Sequence, residues 1–124
     1  MKNQKGMMDD MELSFNGFGE NAATFAAQDG VAAGAPVKVT GSGTVGACAA
    51  GDDFCGVALN VRNGYAAVQL SGYARLPYDG AAPAAGWQML SAAADGKIQA
   101  ASAGGRQLLV VDVDEAAMLC GVIL

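Results

Sequence analysis

Beyond residue 53 the chain alternates apolar and polar positions with a period of two. Phe54, Val57, Leu59 and Val61 lead into Asn63-Gly64, after which Ala66, Val68, Leu70, Ala74 and Leu76 fall on one face together with Gly72. Tyr65, Gln69, Ser71, Tyr73 and Arg75 fall on the other. Period two is the signature of a strand with one covered face. Asn-Gly favours a two-residue hairpin loop, because both central positions take positive φ. The pattern predicts a hairpin over residues 53–78. Shorter strands are predicted at 36–40, 87–92, 97–101, 107–113 and 118–124, the last three set off by Asp95-Gly96, Gly104-Gly105 and Asp114-Glu115. The apolar C-terminal strand is expected to pair inside a sheet.

Glycine interrupts the chain every few residues from Asn21 onward, which leaves little room for an amphipathic helix at about 1 kcal/mol per interior Gly. The longest Gly-free stretch, 106–120, is rich in Val and reads as strand, turn, strand. Residues 22–28 are the one place where a short helix fits. The expected fold is mainly β, a small antiparallel barrel or sandwich with at most one short helix. Residues 1–20, with two Lys, four acids and four of the six Met, read as an extended N-terminal arm. Residues 21–124 read as a single β-rich domain.

Composition refines this picture. Of the 52% apolar residues, 26 are Ala and only eight are aromatic, so the core must be thin and approached closely by backbone. Net charge is −5, from 12 acids and seven bases, with no two cations adjacent. Nucleic acid is therefore not an expected partner, since phosphate binding depends on clustered cations. A membrane is not expected either, because no stretch approaches the roughly 18 apolar residues of a span and no secretory apolar block opens the chain. Cys48, Cys55 and Cys120 lie among small apolar neighbours and read as reduced packing residues, a Cys48–Cys55 bridge being the other reading.

Candidate chemistry is sparse. GSGTVG, residues 41–46, matches the glycine spacing of a dinucleotide loop, but no helix follows to turn its N–H groups on a pyrophosphate, so it reads as a turn. The chain contains no histidine, which removes Ser-His and Cys-His nucleophile pairs. Asp52 and Asp53, and the group Asp112, Asp114 and Glu115, lack the ladder of a calcium loop and read as solvated turn carboxylates. Asp112 falls by alternation on the face of Leu108 and Val110. Tyr78, Asp79, Pro83 and Trp87 gather around YDGAAPAAGW, a segment suited to core or subunit contacts and, as an alternative, to stacking on a sugar ring.

The segment DFCGVALNVRNGYAAVQLSGYARLPYDGAAPAAGWQML resembles the small capsid cement, or head decoration, proteins of tailed bacteriophages and prophages. The matching residues are Phe54, Gly56 and Val57; Arg62, Gly64 and Ala66; Gly72, Tyr73, Leu76, Pro77 and Tyr78; and Gly86, Trp87 and Leu90. The similarity runs from about Val31 to the C-terminal Val122-Ile123-Leu124, and its motifs are structural words, not catalytic ones. It implies a non-enzymatic protein made in the host cytoplasm that attaches to the outside of the virion capsid, often as a homotrimer, and braces the shell. The implied partners are the major capsid protein and further copies of the chain, with no cofactor and no metal. Phe15, Phe18, Tyr73, Tyr78 and Trp87 are the candidate anchors to capsid or sister subunits. The arm is longer than the family leads one to expect. A tail or tube subunit and a carbohydrate-binding module are the alternative readings.

Overall fold

The computed structural model describes residues 21–101 and 104–124. The arm of residues 1–20, with Phe15 and Phe18, lies outside them. Among the described residues ten strands form two sheets: β1 (Asn21–Ala27), β2 (Pro36–Gly41), β3 (Thr44–Ala47), β4 (Gly56–Arg62), β5 (Tyr65–Ser71), β6 (Tyr73–Pro77), β7 (Gly86–Ala92), β8 (Ile98–Ala100), β9 (Arg106–Asp114) and β10 (Leu119–Ile123). The protein is mainly β, as its alternation predicts. The segment 22–28, where a short helix was an option, is strand β1 instead, hydrogen-bonded to both β3 and β5. Among the described residues the only helical turn is a three-residue 3-10 segment, Ala94–Gly96.

The first sheet closes on itself in the order β1-β3-β2-β4-β5, a five-stranded barrel. All its pairings are antiparallel except β1 with β3. So narrow a barrel has room only for small side chains. Val37, Val45, Ala58, Ala66 and Val68 fill it, with Phe25, Val31 and Leu70 packed at its margins. This is where the alanine-rich composition is used. The β4–β5 hairpin turns on Asn63 (φ 54) and Gly64 (φ 78), between the facing pair Arg62 and Tyr65. GSGTVG is the β2–β3 turn, and of its first two glycines Gly43 alone takes the left-handed conformation (φ 66).

The twelve-residue alternation through 65–76 is correct in its faces but spans two strands. At Gly72 (φ 91) the chain leaves the barrel and enters the second sheet. Gln69 lies on the predicted polar face yet is 3% exposed. Its Nε2 donates to the carbonyls of Ser71 (3.0 Å) and Tyr73 (2.8 Å), pinning both sides of this corner.

The second sheet runs β6-β10-β9-β7-β8. The C-terminal strand β10 is interior, as its hydrophobicity requires. Larger residues fill its inner side, including Leu76, Tyr78, Leu90, Ile98, Leu108, Val110 and Val122, and the barrel contributes Phe54 and Val57 as a plug. The two sheets are sewn together at this plug. Arg106 donates to the Cys55 carbonyl (3.0 Å) with its guanidinium 6.0 Å from the Phe54 ring. The 49–53 loop exchanges Gly51 N–H to Ala92 O (2.8 Å) and Ala92 N–H to Asp52 O (2.9 Å).

Asp52 is more than a solvated carboxylate. Its Oδ2 accepts from Lys38 Nζ (2.6 Å) and from the Ala49 N–H (2.8 Å), which fixes the loop carrying Phe54. These bonds hold the Asp52 carboxyl below its ordinary range and raise the Lys38 ammonium above its own. A carboxylate depressed in the folded state adds stability above its unfolded pKa, about 3.9, and loses it as pH falls further. The raised Lys38 adds stability below about pH 10.4 and loses it on the alkaline side. Asp52→Asn therefore lowers the melting temperature at pH 7 and flattens its fall between about pH 4 and pH 2 relative to the wild type, as thermal melts across that range will read.

Candidate functional surface

The outer face of the second sheet carries a row of apolar side chains that crosses four strands. Strand pairing places Tyr73 beside Ile123, Ile123 beside Leu109, and Leu109 beside Trp87, a single row across β6, β10, β9 and β7. Three strand spacings make it about 14 Å long. Trp87, the chain's one tryptophan, is 66% exposed at one end, with Met89 next to it on β7 at 40%. The inward neighbours Ala74, Val122, Val110 and Leu90 are core, so the row is backed by a packed layer and cannot turn inward.

The other end of the row is locked by a close approach. Gly121 lies between Arg75 on β6 and Asp112 on β9, and a Cβ there would meet the Tyr73 ring and an Asp112 carboxylate oxygen. The absence of a side chain lets the tyrosine lie across β10, where its hydroxyl donates to Asp112 Oδ2 (3.1 Å). Burial and this bond together raise the Tyr73 pKa above its ordinary value.

Asp112 is where the sequence reading requires correction. Simple alternation puts it inward with Leu108 and Val110. The pairing instead skips Val111, since Val122 faces Val110 while Gly121 faces Asp112. This bulge reverses the alternation, turning Asp112 outward to Tyr73 and Val113 back toward the core. Asp114 is half-exposed near Arg75 (4.0 Å) and accepts from the Ala117 N–H (3.1 Å), so it shapes the β9–β10 turn. No group of three or more potential metal ligands occurs among the described residues.

Of the five candidate anchors, Tyr73 and Trp87 share the outer row. Tyr78 does not: it is 3% exposed and packs with Leu76 and Ile98 inside the second core. Tyr78 and Trp87 therefore form no joint stacking platform, being on opposite faces of the sheet. Leu109 and Ile123 belong to the row and escaped the sequence reading. Their signal was present in Leu108-Leu109-Val110-Val111, which is apolar on both faces, the mark of a strand covered on both sides.

An open hollow of about 470 Å³ lies where the 30–36 loop, the end of β3 and the 3-10 turn meet. Its wall is mostly Gly, Ala and Pro, with Asp95 and Cys48 as the reactive groups. The three cysteines are free thiols, and burial pushes Cys48 and Cys120 up to about 11, so both stay protonated and poorly nucleophilic at neutral pH. No helix among the described residues is long and apolar enough to cross a membrane. No protein-family model matches the chain, and no curated protein matches it either.

Proposed function

We propose that this chain is a head decoration protein of a tailed bacteriophage or prophage, which binds the outer surface of the capsid and stabilises the shell. The observation that supports this reading best is the Tyr73–Ile123–Leu109–Trp87 row, a rigid apolar strip with an aromatic residue at each end. Exposed apolar strips rimmed by polar groups suit protein partners, and Trp and Tyr are the residues that most often dominate such contacts. Gln107, Arg75 and Asp112 provide the polar surround here.

The residues in which the chain resembles cement proteins have definite places in the fold. Phe54, Gly56 and Val57 join the two sheets, Arg62-Asn63-Gly64 closes the barrel hairpin, and Gly72-Tyr73 makes the corner and one end of the row. The major capsid protein is the partner, and the protein assembles as a homo-oligomer, a trimer by analogy with the family. A ring of equivalent weak contacts gains avidity without any single strong one.

Co-sedimentation of the purified chain with empty shells of the cognate major capsid protein tests this. Saturable binding at a fixed ratio per capsid subunit, by a chain that stays small on its own, is the expected result. Polymerisation into tubes without capsid would assign it to a tail or tube structure, and saturable binding on a glycan array without capsid binding would assign it to a carbohydrate module.

A further inference from the structure

The barrel closes between β1 and β3 through the pairs Ala26 with Thr44 and Ala27 with Val45 alone. The rest of β1, residues 21–25, runs on past the β2–β3 turn with β5 on one side and, among the described residues, no strand on the other. Hydrogen bonds fix which way its peptide groups point. Ala26 N–H donates to Gly43 O and Gln28 N–H to Val45 O, while Ala27 N–H donates to Gly64 O (2.9 Å each). Even-numbered residues therefore turn their peptide groups to the β3 side and odd-numbered ones to β5. Ala22 and Thr24 thus present their N–H and carbonyl groups to the open side, where no described residue bonds to them.

Open edges are usually blunted by charge or proline. This one has neither: the stretch reads NAATF, and Asn21, Ala22, Ala23 and Thr24 are all exposed. Phe25 and Ala27 pack against the barrel core, so the strand is anchored at one end and bare at the other.

We propose that this edge pairs with the same edge of a second copy of the chain, antiparallel about a two-fold axis through Ala23. Self-complementarity argues for that occupant. In this register Ala22 faces Thr24 of the second copy and Thr24 faces its Ala22, so both pairs exchange N–H and carbonyl and every outward group of Ala22 and Thr24 finds a partner. Centring on Thr24 instead would set Ala22 against Ala26, whose N–H already belongs to Gly43 O. Small side chains permit the approach, since Ala23 meets Ala23 across the axis in a non-hydrogen-bonded pair, with Cα atoms about 4.5 Å apart. A paired edge about 17 Å long buries far less than the roughly 1,200 Å² of a standing interface, so the contact forms at high concentration or where subunits are already neighbours. It goes beyond the capsid reading and does not rest on it; a two-fold contact joins two chains and is distinct from a three-fold ring.

Disulfide trapping of the full chain at high protein concentration tests it. The expected Cα separation at Ala23→Cys lies within the range of a disulfide. In a glutathione redox buffer this variant is expected to form linked dimers at least about tenfold faster than Ala81→Cys, an exposed control in the loop after β6. Adding Thr24→Pro, which removes an outward N–H and spares the β5 ladder, is expected to bring Ala23→Cys down to the control rate with little change in melting temperature. Equal trapping of Ala23→Cys and Ala81→Cys, or trapping that Thr24→Pro leaves unchanged, would overturn the proposal. In the wild type, exchange of the Thr24 amide is expected to slow as the concentration of the chain rises. Slowing only on addition of capsid shells would give the edge to the coat protein and overturn it as well.

Discussion

Gly56→Ala is expected to destabilise the fold by about 2–3 kcal/mol, a fall in melting temperature of roughly 10 °C. Gly56 begins β4 between Phe54, which plugs the second core, and Ala58, which fills the barrel. A Cβ there would run into the backbone carbonyl of Gln69 and come within 2.9 Å of Val68 Cγ1. Neither neighbour can yield cheaply. The carbonyl belongs to the β4–β5 ladder, and the Gln69 side chain is committed to the corner between the sheets.

Gly121→Ala supplies the contrast. The atoms displaced there are the ends of Tyr73 and Asp112, which can rotate away, so its cost is expected near 1 kcal/mol, about the value of one hydrogen bond. Calorimetry of the two variants should separate them by roughly 5 °C or more. Equal stability of Gly56→Ala and the wild type would mean that β4 does not pass so close to β5.

Trp87→Ala is the second large effect, and on the proposed function it falls on binding. A tryptophan 66% exposed on a backed sheet contributes little to the isolated fold, so its melting temperature is expected to change by less than about 2 °C. Loss of a docking anchor costs about 2 kcal/mol, roughly 30-fold in affinity for the shell at a single site. In the proposed ring avidity magnifies this, because every subunit would lose the same contact at once. Sedimentation titrations of shells with wild-type and variant protein will read it. Unchanged capsid affinity would place the docking surface elsewhere, and a collapsed melting temperature would make Trp87 a structural residue.

Much of the fold was legible because strands advertise themselves by period two and turns by their dipeptides. Asn63-Gly64 fixes a hairpin through local dihedral preference alone, and 66, 68, 74 and 76 fall inward as alternation requires. Partition of the chain into two sheets was not legible. Gly72 sits in phase with the alternation, and the turn at that residue shows only in its positive φ and in the grip of Gln69 on both flanking carbonyls.

The candidate surface was legible at its two ends and hidden in the middle. Trp87 and Tyr73 stand out as aromatics, whereas Leu109 and Ile123 join them only through the pairing of strands distant in sequence. Asp112 shows the limit of counting by twos, since one bulged residue at Val111 reverses every face that follows. Of the two places read for Tyr78, core or subunit contact, it takes the core. Proximity to Trp87 along the chain suggested a cluster, but Tyr78 at the end of β6 turns into the core while β7 of the same sheet presents Trp87 to solvent on the opposite face.

Electron cryomicroscopy of empty shells saturated with the protein is the most direct measurement. Density on the outer capsid surface, with the β6-β10-β9-β7 face turned toward the shell or a sister subunit and Trp87 covered, is the expected result. Bare shells at saturating protein, or bound protein with Trp87 and Tyr73 both facing solvent, would contradict it.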